Sequence, residues 1–298
     1  MTANIEGIVN VASIPQRSPF RYPGGKTWLV PFIRNWFCSL KKKPSLFIEP
    51  FAGGGIISLT VAFENLADHV IMVELDPDIA AVWQTIFSDD AKWLGEKIIT
   101  FDLTVESAKT ELAKESQAIR DRAFRTILKN RVYHGGIMAH GSSMIRHGEN
   151  GKGIKSRWYA LTLQRRIENI TKVRQHINFI EGNGLSVMEQ FATQENNIIF
   201  IDPPYTASGK KAGSRLYRHS ELDHERLFQI AASLKGDFLM TYDDTDGVKK
   251  LADMHGFDTE LVAMKNTHHA KMTELLIGKN LSWARRSESK IRQLGLFD

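Results

Sequence analysis

The 298-residue sequence is poor in cysteine, and this limits the chemistry it can carry out. Its single cysteine, Cys38, excludes an intrachain disulfide and any metal site built from several cysteines, and it fits a reducing compartment. We expect Cys38 to be a small buried apolar residue rather than a nucleophile. The first residues contain no basic-then-apolar leader, so we expect a cytoplasmic protein.

The sequence also lacks a convincing membrane span. Residues 46–63 are nearly all apolar, but they include Glu49, Pro50 and three consecutive glycines. A lipid-facing helix tolerates such residues poorly. This segment therefore predicts a strand, a tight turn and a buried helix, and we expect no membrane partner.

Positive charge is concentrated in one region of the chain. Residues 120–174 contain thirteen Lys or Arg and three acids, a net +10, whereas the whole chain carries +5. A solvated helical face is one explanation. The same region also contains Tyr133, His134, Trp158 and Tyr159, and basic residues interleaved with aromatic rings favour a nucleic acid partner.

Short apolar runs alternate with helical patterns along the chain. Strands are predicted at 46–48, 69–73, 178–181, 198–201, 238–242 and 274–277. Helices are predicted at 56–65, after Asp76-Pro77, and at 88–130, 158–175, 221–234 and 245–255. Residues 1–18 form an arm or an edge segment, and 131–157 form a loop or hairpin. This alternation predicts an α/β fold with a parallel or mixed sheet and helices on both faces.

The most informative segment is Asp202-Pro203-Pro204-Tyr205, which directly follows the apolar run at 198–201. Ligands of open α/β sheets bind beyond the carboxyl ends of the strands. A rigid turn there, with one carboxylate and one aromatic ring, suits a planar base that bears an amino group. A plain strand-to-loop turn with an exposed Tyr is the alternative.

Three further signals precede this turn. They are the segment 21–26 (RYPGGK), the segment 47–55 (FIEPFAGGG) and Glu74 at the end of the second predicted strand. Gly53 to Gly55 permit a tight turn and close approach of a ligand. The spaced glycines of the dinucleotide fingerprint are missing, so a cofactor without pyrophosphate fits better. Each signal alone is also compatible with an ordinary turn, a surface acid or a solvated lysine.

In combination and order, these motifs resemble the adenine-specific DNA methyltransferases of the Dam type (D12 class). The resemblance covers most of residues 17–280, including 271–276. It implies a doubly wound, mostly parallel seven-stranded methyltransferase sheet with a mainly helical inserted DNA-recognition domain. Residues 1–87 and 176–284 would form the catalytic domain, 88–175 the insertion and 285–298 a flexible tail. A bacterial or phage-encoded protein is implied.

The resemblance implies S-adenosyl-L-methionine as cofactor. Tyr22 and Lys26 would serve its methionine end, Glu74 its ribose hydroxyls, and Asn183, where many relatives carry an acid, its adenine. The complete set of expected cofactor residues is Tyr22, Gly24, Gly25, Lys26, Glu49, Phe51, Gly53, Gly55, Glu74, Asn183 and Asp202.

The expected catalytic residues are Asp202, Pro203, Pro204 and Tyr205. Asp202 and the carbonyl of Pro203 would accept the two hydrogens of the adenine amino group, which frees its lone pair to attack the sulfonium methyl group. Tyr205 would stack on a base flipped out of the duplex. No metal is needed.

For DNA binding, residues 129–136 resemble the element that opens the family's recognition hairpin. Arg131 is either structural or phosphate-binding, and His134 lies where the family often has an intercalating aromatic. Ala139 replaces a guanine-reading arginine, so GATC specificity is not implied. The expected DNA-binding residues are Lys129, Asn130, Arg131, Tyr133, His134, His140, Lys210 and Arg215.

The C-terminal Gln293, Leu294, Leu296 and Phe297 resemble the peptide by which bacterial proteins dock on the replicative sliding clamp. The alternatives are an end segment folded onto its own domain, or chance.

The sequence thus predicts a site-specific methyltransferase that acts on adenine in double-stranded DNA. Rival hypotheses are a cytosine-N4 or RNA amino-methyltransferase, an inactive clamp-associated DNA-binding protein and, more distantly, a nicotinamide dehydrogenase.

Overall fold

The computed structural model describes residues 13–21, 25–134, 143–145, 147–148, 151–204, 222–265 and 271–285. Within these residues, the chain forms a seven-stranded sheet with helices on both faces. The strands are β1 (Leu46–Glu49), β2 (His69–Glu74), β3 (Ile177–Glu181), β4 (Asn197–Ile201), β5 (Asp237–Asp243), β6 (Asp258–Lys265) and β7 (Lys271–Gly278).

The strand order is β3-β2-β1-β4-β5-β7-β6. Neighbouring strands are parallel except at β7, which is antiparallel to both β5 and β6. This arrangement confirms the predicted mostly parallel, seven-stranded sheet. The six segments predicted as strands are all strands, whereas β6 was not predicted. Its first residues, Asp258 to Glu260, are polar, and among its described side chains only Val262 is buried, so it lacks the pattern of the central strands.

Alternate residues of the central strands face two separate hydrophobic clusters. Phe47 and Phe200 pack into the cluster on one face, and Ile48 and Ile199 pack into the cluster on the other. A sheet covered by helices on both faces needs apolar residues at successive positions. This is why β1 and β4 appear in the sequence as continuous apolar runs.

Ten α-helices flank the sheet in the described ranges. They are α1 (Val30–Ser39), α2 (Ile56–Phe63), α3 (Pro77–Phe87), α4 (Ala91–Thr100), α5 (Val105–Leu112), α6 (Ile119–Val132), α7 (Ala160–Thr171), α8 (Gly184–Phe191), α9 (His224–Ser233) and α10 (Asp246–Met254). As predicted, Asp76 caps α3 by accepting a hydrogen bond from the backbone N–H of Asp78 (2.8 Å), and Pro77 follows it.

The stretch 88–130, predicted as helical, consists of three helices rather than one. Thr104 and Ser107 bond reciprocally to each other's backbone N–H groups (3.0 and 2.8 Å), so they form a capping box that begins α5. A second break separates α5 from α6. Helices α1 and α8 were not predicted.

The helices α4 to α7, which belong to the predicted insertion, share a hydrophobic cluster with the sheet. Helix α6 packs along α3, and α7 packs along α4. Phe124 and Ile127 of α6 are fully buried in this cluster. The insertion is therefore continuous with the core on that face of the sheet.

Two predictions about single segments have different outcomes. Residues 46–63 form a strand, a turn and a helix, as predicted. The prediction for Cys38 is wrong, because its side chain is exposed. Helix α1 buries Val30, Ile33, Trp36 and Phe37, and Cys38 lies on the opposite side of the helix.

Among the residues that the structure describes, none of the helices is long and apolar enough to cross a membrane.

Candidate functional site

Three acidic residues follow or end three neighbouring parallel strands. Glu49 ends β1, Glu74 ends β2 and Asp202 comes directly after β4. The order β2-β1-β4 places them at the same edge of the sheet, where the chain's direction of winding reverses between β1 and β4. Such a switch point is the usual ligand crevice of an open α/β sheet. The sequence motifs thus meet at one place.

The glycine turn after β1 is fixed by Glu74 and Trp83. Glu74 accepts hydrogen bonds from the backbone N–H groups of Gly53 (2.9 Å) and Asp76 (2.8 Å), and Trp83 donates to the carbonyl of Gly53 (2.9 Å). Gly55 has a φ of 62°, and a Cβ there would lie 2.6 Å from Met72. The turn therefore needs glycine for packing. The ribose contact of Glu74 stays a prediction.

Glu49 is buried beneath this turn. Its carboxylate accepts hydrogen bonds from the backbone N–H of Ser58 (2.9 Å) and from the Ser58 hydroxyl. Burial raises the pKa of Glu49 to about 8, and the charges of Asp202 and Glu74 add to this, although the bonds from Ser58 oppose it. Burial likewise raises the pKa of Glu74 to about 7.

The predicted catalytic Asp202 lies beside a buried lysine. Lys26 Nζ is 3.0 Å from Asp202 Oδ1 and 2.7 Å from Glu274 Oε1. Thr241 Oγ1 donates a hydrogen bond to the same Asp202 oxygen (2.8 Å). Burial alone would lower the pKa of Lys26, but the two carboxylates outweigh it and raise the pKa above its ordinary value.

Lys26 was expected to serve the methionine end of the cofactor, and that contact stays a prediction. In the structure its ammonium group is shared by two carboxylates of the protein. Sequence reasoning did not identify Glu274 or Thr241 as site residues. The available signal was that Glu274 is an acid directly before the apolar run 275–277.

A second polar pair lies on the face of β5 that is opposite to Thr241. Tyr242 is buried, and its hydroxyl is 2.8 Å from Nδ1 of the half-buried His224. Burial raises the pKa of Tyr242, and the charge of Asp202 adds to this effect. Burial lowers the pKa of His224. Sequence reasoning did not predict this pair.

The other expected cofactor and catalytic residues are only partly described. Gly25 precedes the short 3-10 helix 26–29, and Phe51 is half buried against the second cluster. Asn183 caps α8 by accepting from the N–H of Leu185 (2.9 Å). Pro203 is buried and Pro204 half buried. Tyr22, Gly24 and Tyr205 lie outside the described residues.

The insertion contacts the segment 18–21, which ends at the first residue of the RYPGGK motif. Asn130 accepts from the N–H of Arg21 (2.9 Å) and donates to its carbonyl (2.8 Å). Arg131 donates to the carbonyl of Pro19, and Arg166 to that of Ser18 (2.8 Å). This segment also reaches the glycine turn, since the Ser18 hydroxyl donates to the carbonyl of Gly54.

The interpretation of Asn130 and Arg131 as DNA contacts is corrected by this placement. Asn130 is 0% exposed and Arg131 3% exposed, so both are interior residues that hold the segment 18–21. Burial lowers the pKa of Arg131 to about 9, and the charges of Arg166 and Arg21 add to this.

The remaining expected DNA-binding residues lie at or beyond the end of α6. Tyr133 pairs with Met144 as an antiparallel bridge, and the N–H of His134 donates to the carbonyl of Ser143 (3.0 Å). The two described ends of this region thus pair as a hairpin does, as expected. Lys129 lies over the Tyr133 ring (5.6 Å), and His134 is exposed. His140, Lys210 and Arg215 lie outside the described residues.

The residues at this edge of the sheet fit the expected cofactor. Glu49, Glu74 and Asp202 surround the glycine turn with carboxylates, and burial disfavours the charge of Glu49 and Glu74. A cation such as a sulfonium favours ionisation of nearby carboxylates. These acids thus suit a cationic cofactor such as S-adenosylmethionine, whose positive charge would favour their ionised forms.

Comparison with known proteins identifies one family. A family model described as D12 class N6 adenine-specific DNA methyltransferase matches residues 22–267. No curated protein matches the chain at a significant level.

The chain is also similar to solved structures. One is the rRNA methyltransferase AviRa of Streptomyces viridochromogenes (10% identity, 93% of this chain and 96% of that chain covered, TM-score 0.42). Another is a protein of Pyrococcus horikoshii described as an RNA methyltransferase (12% identity, 90% and 93% covered, TM-score 0.41).

The reciprocal bonds of Asn130 lead to a first testable prediction. Asn130→Ala leaves the N–H and carbonyl of Arg21 without these partners, so we expect the free energy of unfolding to fall by about 1–3 kcal/mol. Denaturant titration measures this change. Asn169→Ala is the control, because Asn169 is an exposed residue of α7. Equal stabilities of the two variants would contradict the structural role of Asn130.

The raised pKa of Glu49 predicts a pH-dependent stability. Its pKa is 4.5 when unperturbed and about 8 when folded, so between these values the folded protein binds the extra proton. The free energy of unfolding therefore falls as pH rises through this window. Without cofactor, we expect the Tm to fall less steeply from pH 5 to pH 8 in Glu49→Gln than in the unmodified protein. Glu181→Gln, at the exposed end of β3, is the control, and an unchanged slope in Glu49→Gln would refute the prediction.

Proposed function

Because this chain belongs to the D12 class N6 adenine-specific DNA methyltransferase family, we propose that it transfers a methyl group from S-adenosylmethionine to the exocyclic nitrogen of adenine in double-stranded DNA. The observation that carries this proposal is the position of Asp202. It lies directly after β4, at the switch point of the sheet, beside the glycine turn. A carboxylate there can accept a hydrogen from an amino group of a base.

The chemistry follows from what Asp202 and its turn can bind. S-adenosylmethionine supplies an electrophilic methyl group on a positively charged sulfur. The amino nitrogen of adenine is a poor nucleophile because its lone pair is delocalised into the ring. Asp202 and the carbonyl of Pro203 each accept one amino hydrogen, which localises the lone pair on the nitrogen. Such preorganised acceptors stabilise the positive charge that develops there.

The base must leave the duplex to reach this turn. Asp202 lies at the end of a central strand and its side chain is only about one-fifth exposed (22%), so a stacked base cannot approach it. We propose that the target adenine is flipped out, as enzymes that act on bases commonly require. Tyr205, the next aromatic residue in the turn, is the proposed stacking partner.

The DNA duplex is proposed to lie against the insertion. Its region 120–174 carries the net charge of +10, and phosphate contacts supply much of the affinity of DNA-binding proteins. Lys129, Tyr133 and His134 lie at the start of the hairpin. His140, Lys210 and Arg215 are proposed further contacts.

The role of Asp202 is tested by its neutral isostere. Asp202→Asn keeps the size of the side chain but brings an N–H₂ group to the site, so we expect kcat for adenine methylation to fall about 100-fold or more. Cofactor affinity, measured by calorimetry, should fall much less than kcat. Asp237→Asn, at the opposite edge of the sheet, is the matched control and should keep kcat. Near-normal turnover by Asp202→Asn would refute the mechanism.

A second proposal concerns the C-terminal tail, in which Gln293, Leu294, Leu296 and Phe297 would dock on a sliding clamp. Arg285 is the last residue before it that the structure describes. Arg285 bonds to Asp258 (2.6 Å) and Glu260 (2.6 Å), both on β6, the outermost strand. The tail therefore begins beside the outermost strand, β6, rather than at the candidate site.

Deletion of residues 293–298 should abolish binding to the clamp and spare methylation of short duplexes. The deletion removes the two large apolar side chains of the peptide and keeps the Arg285 attachment. Surface plasmon resonance with immobilised clamp measures the binding, and a scrambled 293–298 sequence is the control. Clamp affinity that survives the deletion would rule out this docking peptide.

A further inference from the structure

Glu274 is the least expected residue of the candidate site. It lies on β7, which is the antiparallel neighbour of β5, and its side chain is 4% exposed. In the β5–β7 ladder, Leu276 is opposite Thr241, and Glu274 lies two residues before Leu276 along β7. Since side chains alternate along a strand, Glu274 and Thr241 point to the same face of the sheet. Both therefore approach the Asp202 turn from that face.

We propose that Glu274 is a positioning residue, which acts through Lys26 to orient the catalytic carboxylate of Asp202. This inference rests on the proposed function of Asp202. Glu274 Oε1 holds Lys26 Nζ at 2.7 Å, and Lys26 Nζ in turn lies 3.0 Å from Asp202 Oδ1. Lys26 and Thr241 both contact Oδ1, so together they fix the plane of the carboxylate.

The charge balance explains why two acids are needed. A buried ammonium group is unfavourable unless acids are close to it. With Asp202 alone, Lys26 would form a simple pair that satisfies the carboxylate and weakens it as an acceptor for another hydrogen. Glu274 shares the lysine, so the cluster of three keeps a net charge of −1. That charge suits a reaction in which positive charge develops at the bound amino group.

The groups that face this cluster come from several elements. Lys26 enters from the short helix before α1, Glu49 from β1, Thr241 from β5 and Glu274 from β7, whereas Tyr242 lies on the opposite face of β5. Asp202 and Glu274 act on Lys26, and Asp202 in turn acts on Glu49 and Tyr242. Lys26 is the cation that Asp202 and Glu274 share, so a change at Glu274 reaches Asp202 through it.

Glu274→Gln is the direct test. Gln keeps the shape and one acceptor oxygen but removes the negative charge. We expect kcat to fall about tenfold with KM for cofactor and DNA within about twofold, because the acceptor is weakened and the binding surfaces are untouched. Glu274→Asp keeps the charge and should restore part of kcat.

The pH profile separates positioning from simple structural damage. Asp202 and Glu274 together hold the pKa of Lys26 above its ordinary value. Without the charge of Glu274, only Asp202 opposes the effect of burial, so the pKa of Lys26 falls. The alkaline limb of the pH–kcat profile should then move to lower pH. Thr241→Val is the matched control, because it removes a neutral donor to the same Asp202 oxygen. It should lower kcat and leave the alkaline limb in place.

A measurement without turnover distinguishes failure of this inference from failure of the proposed function. The ¹³Cε resonance of Lys26, assigned with Lys26→Met, should titrate at lower pH in Glu274→Gln than in the unmodified protein. The same titration in both proteins, or an unmoved alkaline limb, would overturn the role of Glu274. A Lys26→Met protein with normal kcat and strongly weakened cofactor binding would overturn it too, because Lys26 would then serve the cofactor. If the titration shifts but no adenine is methylated, the proposed function fails and the coupling stands.

Discussion

A buried lysine shared by two carboxylates is the interaction on which the candidate site depends. Lys26 joins the turn after β4, through Asp202, to β7, through Glu274. Lys26 is more than 170 positions away from either carboxylate in the chain, and only the complete sheet brings the three residues together. Breaking a buried pair on one side leaves an uncompensated charge, at a typical cost of about 3–5 kcal/mol. The arrangement of the acceptor carboxylate is thus tied to correct assembly of the sheet.

The segment 13–21 gives the site a second constraint, because it lies between the glycine turn and the insertion. Ser18 bonds to Gly54 on one side, and Asn130, Arg131 and Arg166 hold its backbone on the other. Lys26 follows a few residues later. These hydrogen bonds therefore connect α6 and α7 to the glycine turn. In this arrangement, the basic insertion and the residues beside the glycine turn belong to one hydrophobic cluster.

Much of the fold was predictable, because its strongest signals are local. Asp76-Pro77 begins α3, and the apolar runs before Glu49 and Asp202 are buried strands, since both faces of the sheet are covered. Contacts across the chain were not predictable. Asn130 and Arg131 appear in a basic region, yet they point inward because the segment 18–21 offers backbone partners. Glu274 has only a weak local signal, and its contact with Lys26 depends on the β5–β7 register.

The central claim is that Asp202 presents its carboxylate to the amino group of adenine in DNA. It is tested most directly by incubating the protein with S-adenosylmethionine that carries a deuterated methyl group, together with duplex DNA and, separately, RNA of the same sequence. The nucleic acids are then digested and the nucleosides analysed by mass spectrometry. We expect the label in N6-methyladenine from the DNA. Label in N4-methylcytosine, or in RNA alone, would contradict the claim.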